Sequence, residues 1–84
     1  MAKAEVEQWI ELGKQAKKTQ REIFKLLEVS NRTKIPKTIS NEIGKCVNAM
    51  QEFKMKSEDR MFYEHPNLDD EALNIFYGKY NDNE

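Results

Sequence analysis

An apolar stripe in the middle of the chain constrains the fold more than any other feature. Five apolar residues recur there at spacings of four, four, three and three: Ile39, Ile43, Val47, Met50 and Phe53. This period places side chains on one side of an α-helix. Pro36 precedes the stripe, and proline suits a first helical turn because the amide that it lacks would be unpaired there anyway. The sequence therefore predicts a long helix that begins near Pro36 and runs past Met61.

His65 and Pro66 should end this helix, because the residue before a proline avoids helical backbone. Asn67 is a suitable N-cap for a short further helix that ends at Gly78. Three acidic residues occupy its first turn, where the helix dipole favours negative charge: Asp69, Asp70 and Glu71. Residues 1–80 are then a single helical domain, and residues 81–84 are predicted to be a disordered tail.

The first third of the chain allows two interpretations. Val6, Trp9 and Gly13 predict a helix over residues 4–15, and the capping-box pattern of Thr19 and Glu22 starts a second helix that ends in a turn at residues 29–35. The fold is then a small all-α bundle of three to four helices with a helix-turn-helix-like core. Residues 14–21 are nevertheless all acceptable helix formers. The alternative is a long antiparallel helical hairpin plus a short C-terminal helix.

Both interpretations predict one apolar core. We expect these residues to be buried together: Trp9, Ile23, Leu27, Ile39, Ile43, Val47, Met50 and Leu73. Cys46, the one cysteine, is expected to be a small core residue. A structural zinc site built mainly on thiolates is excluded, because such a site needs several cysteines.

The sequence offers no recognisable catalytic centre. His65 is the one histidine, lies far along the chain from Cys46, and is explained by its place at a helix end. No glycine-rich phosphate loop or zinc pattern is present. We therefore expect a protein that is not an enzyme and uses no metal or cofactor. No apolar run is long enough for a membrane span and the N-terminus lacks a signal-peptide core, which predicts a cytoplasmic protein without membrane contact.

Charge is strongly segregated along the chain. Between residues 14 and 56 there are eleven basic and four acidic residues, a net charge of +7. From residue 57 onward there are two basic and eight acidic residues, a net charge of −6. Local fields decide which partner approaches which surface. The basic segment points to a polyanion such as nucleic acid.

A polar row on the predicted long helix carries no carboxylate. Its members recur at helical spacing: Lys37, Asn41, Gly44, Asn48 and Gln51. Amide side chains can pair with adenine and lysine can meet guanine, so this row suits a DNA major groove. A solvated helix surface is the other explanation of the same row.

Three segments resemble the helix-turn-helix of transposases, resolvases and small repressors. They are residues 9–13 (Trp-Ile-Glu-Leu-Gly), residues 19–23 (Thr-Gln-Arg-Glu-Ile) and residues 26–33 (Leu-Leu-Glu-Val-Ser-Asn-Arg-Thr). The chain departs from the family pattern at Phe24, where a small alanine is usual, and at Glu28, where glycine is usual. The resemblance implies a recognition helix that starts near Pro36 and a DNA-binding regulator of transcription or of a mobile element.

This interpretation divides the polar residues into two groups. The predicted base contacts are Lys37, Ser40, Asn41, Lys45 and Asn48. The predicted phosphate contacts are Lys14, Lys17, Lys18, Arg21, Arg32 and Lys34. The partner is then double-stranded DNA, bound by a homodimer. The hairpin alternative predicts instead a protein-protein interaction module, such as a small inhibitor or adaptor, that uses the acidic C-terminal segment and its aromatic residues: Phe62, Tyr63, Phe76, Tyr77 and Tyr80.

Overall fold

The computed structural model describes residues 3–78. They form two long α-helices, α1 (Val6–Arg32) and α2 (Lys37–Glu64), and one short 3₁₀ helix (Asp70–Asn74). No strand occurs among these residues. The all-α class is confirmed. The arrangement corresponds to the hairpin alternative rather than to a bundle of three to four helices.

Helix α1 runs without interruption through the position where a break was predicted. The Thr19 hydroxyl accepts a hydrogen bond from Gln15 Nε2 at 3.2 Å, one turn earlier in the same helix. The capping box that begins α1 lies at Glu5, whose amide donates to Gln8 Oε1 at 2.8 Å. The predicted start of a second helix at Thr19 is therefore wrong. Residues 14–21 contain no glycine or proline, so nothing in the backbone opposes the helix.

The turn between the helices is shorter than predicted and starts later. Residues 33–36 form it, because the hydroxyls of Ser30 and Thr33 donate to the helix carbonyls of Leu27 and Val29 at 2.8 and 2.9 Å. These side chains thus accompany the last turn of α1 instead of breaking it. The start of α2 directly after Pro36 is confirmed.

The other end of α2 also agrees with the sequence. The helix ends at Glu64, and the amide of the capping residue His65 donates to Met61 O at 2.9 Å. The predicted helix after Pro66 is only a five-residue 3₁₀ helix, capped by Asp69 rather than Asn67. The Asp69 carboxylate accepts from the Glu71 amide at 3.1 Å.

The two α-helices pack antiparallel along their length. Ala4 and Glu64 meet at one end of the hairpin, where the Ala4 amide donates to Glu64 Oε1 at 3.3 Å. Gln20 and Lys54 meet near the middle at 2.6 Å. The inward rows alternate spacings of four and three as in a coiled coil: Trp9, Gly13, Ala16, Gln20, Ile23, Leu27 and Ser30 on α1, and Ile43, Val47, Met50, Lys54, Ser57, Met61 and Glu64 on α2.

The buried core lies in one half of the hairpin, which we call the terminal half; the half nearer residues 33–36 is the turn half. The apolar residues of this buried core are Trp9, Ala16, Met61, Ala72 and Phe76. Trp9 and Phe76 meet edge to face, with ring centroids 6.2 Å apart. Residues 65–78, which we call the C-terminal segment, return along the terminal half and complete this core.

The predicted core list is therefore only partly right. Trp9 is buried, but Ile39 and Leu73 are exposed, and five members are half-buried: Ile23, Leu27, Ile43, Val47 and Met50. Cys46 is exposed rather than buried. The physical reason is that the C-terminal segment covers only the terminal half. Two helices alone cannot enclose the apolar residues of the turn half.

Candidate functional site

One side of the hairpin carries the C-terminal segment, and we call this side the front face. On α1 it includes Ile10, Lys14 and Lys17, which line an open cavity together with Glu71, Asn74, Ile75 and Gly78 of the C-terminal segment. Lys17 Nζ donates to the Asn74 carbonyl at 2.6 Å. The segment thus places acidic and apolar residues against basic residues of α1.

A buried polar cluster holds the end of the C-terminal segment. The Lys54 side chain is buried, its Nζ donates to Gln20 Oε1 at 2.6 Å and lies 4.6 Å from the centre of the Tyr77 ring. Burial and the neighbouring Lys17 ammonium lower the pKa of Lys54, while Glu58 acts in the opposite direction. Tyr77 covers this amine. The cluster fixes the segment rather than offering a reactive amine to a substrate.

Glu58 belongs to the same cluster. Burial, and then the charge of Asp59, raise the pKa of Glu58, while Lys54 acts in the opposite direction. Its Oε2 atom is buried and has no hydrogen-bond partner within the described chain. Burial, Glu58 and Asp59 likewise raise the pKa of the Tyr77 hydroxyl. The ionised form of Glu58 is therefore disfavoured by its burial and by the charge of Asp59.

Beyond this cluster the front face continues uncovered into the turn half. Helical spacing places Phe24 and Leu27 of α1 beside Val47 of α2 on this part, and Phe24 is 45% exposed. A Cβ atom added at Gly44 would meet nothing within 4 Å, so the surface is open there. The rim is mainly basic: Lys18, Arg21, Arg32 and Lys37 lie there with Glu28, and Lys25 pairs with Glu22 at 3.5 Å.

The predicted base contacts all lie within residues 37–48, at the start of α2. Lys37, Asn41, Lys45 and Asn48 are exposed and Ser40 is half-buried. Two of them already have partners within the helix, since Ser40 Oγ donates to Lys37 O at 3.2 Å and Lys45 Nζ pairs with Glu42 at 3.1 Å. The structure thus brings these five residues together on one stretch of helix.

The predicted phosphate contacts fall into two separate groups. Arg32 and Lys34 are exposed beside the turn, close in sequence to Lys37. The remaining four lie along α1: Lys14, Lys17, Lys18 and Arg21. At about 1.5 Å per helical residue, Lys18 and Arg32 lie about 21 Å apart. One compact phosphate site does not contain both groups.

The predicted aromatic contact surface is largely occupied within the molecule. Phe76 is buried, and Phe62 and Tyr77 pack against the core. Tyr63 is 75% exposed and stacks with the Arg60 guanidinium, 5.1 Å from its ring centre. Tyr80 lies outside the described residues. Phe76 is therefore not available for contact and Phe62 and Tyr77 are only partly so, and a contact surface made of these aromatic residues stays a prediction. Sequence analysis also missed Lys54, because nothing in the pattern marks one lysine among many as buried.

Other kinds of site find no support in the described part of the chain. Within residues 3–78 no three histidine, cysteine, aspartate or glutamate side chains come together as metal ligands. No helix of that part is both long and apolar enough to cross a bilayer. Comparison with known protein families, curated proteins and solved structures found no match. Function is therefore inferred from the geometry of this chain alone.

Proposed function

We propose that the protein is a helical-hairpin interaction module whose uncovered front face, in the turn half, binds an acidic amphipathic segment of a partner protein. The observation that carries this proposal is the C-terminal segment itself. It occupies the terminal half of the same face, and so provides an example, within the molecule, of what this face accepts.

The chemistry of that example is simple. Residues 68–78 contain three acidic residues, no basic residue and six apolar residues. The segment buries Ala72 and Phe76 against the helices and places Glu71 at the cavity that Lys14 and Lys17 line. An acidic chain with apolar anchors therefore matches the terminal half in both charge and shape.

The turn half repeats these features without an occupant. Phe24, Leu27 and Val47 supply apolar surface, and the basic rim continues along α1. Burying the exposed part of a phenylalanine ring contributes on the order of 2 kcal/mol. The basic rim mainly sets the rate of association and the choice of an acidic partner. Phe24 is thus the expected anchor residue.

A peptide-binding measurement tests this proposal. The probe is a fluorescent 12-residue peptide with the sequence of residues 67–78, compared by fluorescence anisotropy with a peptide in which its acidic residues are lysines. We expect the full chain to bind the acidic peptide and not the basic one. Phe24→Ser should weaken binding about tenfold, the loss of roughly 1.4 kcal/mol from a central contact.

Leu26→Ser is the matched control. Leu26 is 54% exposed, close to the exposure of Phe24, but helical spacing places it on the opposite side of α1. This variant should bind the acidic peptide as the wild type does. Equal loss in both variants, or no loss in either, contradicts the proposal.

DNA binding is the second candidate, and one observation favours it. Asn41, Asn48 and Gln51 are exposed on α2 and form a row without a carboxylate, beside Lys37. The module is then a small regulator that reads bases with this row and holds phosphates with the basic residues of α1. The same rim attracts a polyanion.

A salt titration on duplex DNA separates this candidate from the first. Asn41→Ala should weaken the free energy of binding to a selected DNA site by about 1 to 3 kcal/mol and change binding to a scrambled site little. Lys18→Ala should weaken both and lower the slope of log affinity against log salt by about one unit. If the protein binds DNA in a salt-sensitive way and Phe24→Ser does not change this binding, the DNA proposal replaces the first one. If no salt-sensitive DNA binding is found, the DNA proposal is wrong.

A further inference from the structure

A short sequence pattern occurs once in each long helix. Residues 11–20 read Glu-Leu-Gly-Lys-Gln-Ala-Lys-Lys-Thr-Gln, and residues 42–51 read Glu-Ile-Gly-Lys-Cys-Val-Asn-Ala-Met-Gln. Four positions are identical, while leucine is matched by isoleucine and alanine by valine. The two glycines, Gly13 and Gly44, are each the eighth residue of their helix. The pattern therefore marks the same place in both helices.

Both glycines lie on the front face. Gly13 does so because Ile75 of the C-terminal segment packs on it. Gly44 precedes Glu58 by fourteen residues, which is nearly four full helical turns, so the two residues share one side of α2. Glu58 lies there near Tyr77, under the end of the C-terminal segment. Because the helices are antiparallel, Gly13 falls in the terminal half and Gly44 in the turn half.

The terminal half shows what the pattern does. A Cβ atom added at Gly13 would overlap the Ile75 carbonyl, so the backbone of the segment lies directly against α1. Four residues after this glycine, Lys17 Nζ donates to the neighbouring carbonyl of Asn74 at 2.6 Å. The glycine lets the segment approach, and the amine one turn later holds it. Both contacts are made to the backbone and do not depend on the side chains of the segment.

The same arrangement at Gly44 is vacant. An added Cβ atom would meet nothing there within 4 Å, and Asn48, four residues later, is exposed. The amide group of asparagine can donate to a carbonyl oxygen as the Lys17 amine does. Glycine destabilises a helix interior relative to alanine, and no packing within residues 3–78 requires a glycine at this position.

We infer that Gly44 and Asn48 bind the backbone of the partner segment, as the corresponding pair in α1 binds the backbone of residues 74–75. The inference rests on the proposed function, because it names the residues of the uncovered front face that contact the main chain of the partner. An acidic amphipathic segment then crosses α2 at Gly44, with a backbone carbonyl directed to Asn48.

The apolar anchor is not part of the repeated pattern. Trp9, which packs on Phe76 in the terminal half, corresponds to Ser40 in α2. Phe24 of α1 supplies the apolar contact in the turn half instead. The contact at Gly44 therefore fixes where the partner backbone lies, while Phe24 and the basic rim select its side chains.

Labelling of the glycine residues alone with ¹⁵N tests the inference, because the chain has three glycines and gives three amide signals. The probe is the unlabelled acidic peptide with the sequence of residues 67–78. It should shift the Gly44 signal and leave the signals of Gly13 and Gly78 unchanged. Shifts at Gly13 and Gly78 without a shift at Gly44 would mean that the peptide displaces the C-terminal segment, and would overturn the inference.

Substitutions in α2 give a second readout, measured by fluorescence anisotropy of the same peptide. Gly44→Leu fills the vacant position and should weaken binding at least about tenfold, and Asn48→Ala should weaken it about threefold. Gly44→Ala should also bind more weakly, although alanine favours the helix, which separates loss of the contact from loss of the fold. Ala49→Leu is the matched control, because Ala49 is exposed and helical spacing directs it away from the front face.

The outcomes separate this inference from the proposed function. Unchanged binding in Gly44→Leu, together with weaker binding in Phe24→Ser, overturns the inference and leaves the proposed function intact. Equal loss in Gly44→Leu and Ala49→Leu also overturns it. A wild type that does not bind the acidic peptide overturns both, and weaker DNA binding by Gly44→Leu in that case assigns the glycine to the DNA candidate.

Discussion

Two helical glycines show how differently one residue type is used in this chain. At Gly13 an added Cβ would overlap the backbone carbonyl of Ile75, so the glycine lets the C-terminal segment approach α1 closely. At Gly44 an added Cβ would meet nothing within 4 Å. The sequence placed Gly13 on the apolar side of a helix, but it could not show that another backbone passes there.

Alanine at each glycine should therefore have opposite effects. Gly44→Ala should stabilise the fold by about 0.5 to 1 kcal/mol, because alanine restricts the unfolded chain and favours helix. Gly13→Ala also favours the helix, but the added methyl group forces the C-terminal segment away from α1. We therefore expect the free energy of unfolding to fall by roughly 1 to 2 kcal/mol. Urea denaturation followed by circular dichroism measures both. Stabilisation by Gly13→Ala would mean that Ile75 does not pack there.

Glu64 and Glu58 should make opposite contributions to the dependence of stability on pH. The Arg60 hydrogen bond at 2.8 Å, opposed by burial and helped by the Ala4 amide, holds the pKa of Glu64 below its ordinary 4.5. Its contribution is present above pH 4.5 and is lost as the pH falls through the lowered pKa. The raised pKa of Glu58 has the opposite effect on stability. The free energy of unfolding falls as the pH rises through the raised pKa of Glu58.

Glutamine variants separate these two terms. Glu64→Gln should be less stable than the wild type at pH 7, and the difference should shrink as the pH falls below 4.5. Glu58→Gln should be more stable than the wild type at pH 7, with a difference that also shrinks on acidification. The measurement is the urea midpoint of each variant across a pH series. The same sign for both variants at pH 7 would contradict the assigned environments.

At the scale of elements, the sequence predicted the ends of α2 and failed on the continuity of α1. Pro36 and Pro66 act on the backbone next to them, so their effect could be predicted without knowledge of packing. The capping-box pattern at Thr19 is also local, but the same side chains can form other hydrogen bonds inside a helix, as Thr19 does with Gln15. Packing of Trp9, Ala16 and Gln20 against α2 and the C-terminal segment favours the unbroken form, and that packing is not visible in the pattern.

Thr19→Ala distinguishes a mid-helix threonine from a cap. Loss of an N-cap costs about 1 kcal/mol, whereas alanine in a helix interior is preferred to threonine by a few tenths. Because Thr19 lies inside α1 and bonds only to Gln15 in the structure, the variant should unfold at the same urea concentration as the wild type or slightly higher. A loss near 1 kcal/mol would indicate that the helix breaks at Thr19 in solution.

Asp69→Ala is the matched control for this experiment. The Asp69 carboxylate accepts from the Glu71 amide and caps the 3₁₀ helix, so its removal should destabilise the C-terminal segment. The sequence predicted a cap at Thr19 and placed Asp69 in the first turn of a helix capped by Asn67, whereas in the structure Asp69 is the cap. Only Asp69→Ala should lower the free energy of unfolding, because only Asp69 of these two residues caps a helix in the structure.

At the scale of the whole molecule, the apolar residues of the two halves of the hairpin are unevenly buried. The two side chains that are fully buried, Met61 and Phe76, both lie in the terminal half. Within residues 3–78, the turn half has half-buried apolar rows and no third layer. The sequence predicted the inward positions of Ile43, Val47 and Met50 on α2, but it missed Lys54 and could not show which residues are covered, because coverage depends on where residues 65–78 return. Most of the predicted DNA contacts are exposed in the structure, but Lys17 is half-buried and bonds to the C-terminal segment, which the sequence pattern could not show.

This imbalance predicts a gradient of amide hydrogen exchange along each helix. Amides exchange through local opening, and opening is easiest where few apolar contacts are lost. Amides of α1 near Ala16 and of α2 near Met61 should therefore be the most protected, and those near Val29 and Ile39 the least. Exchange followed by NMR gives the order residue by residue. Uniform protection would contradict this uneven covering of the two halves.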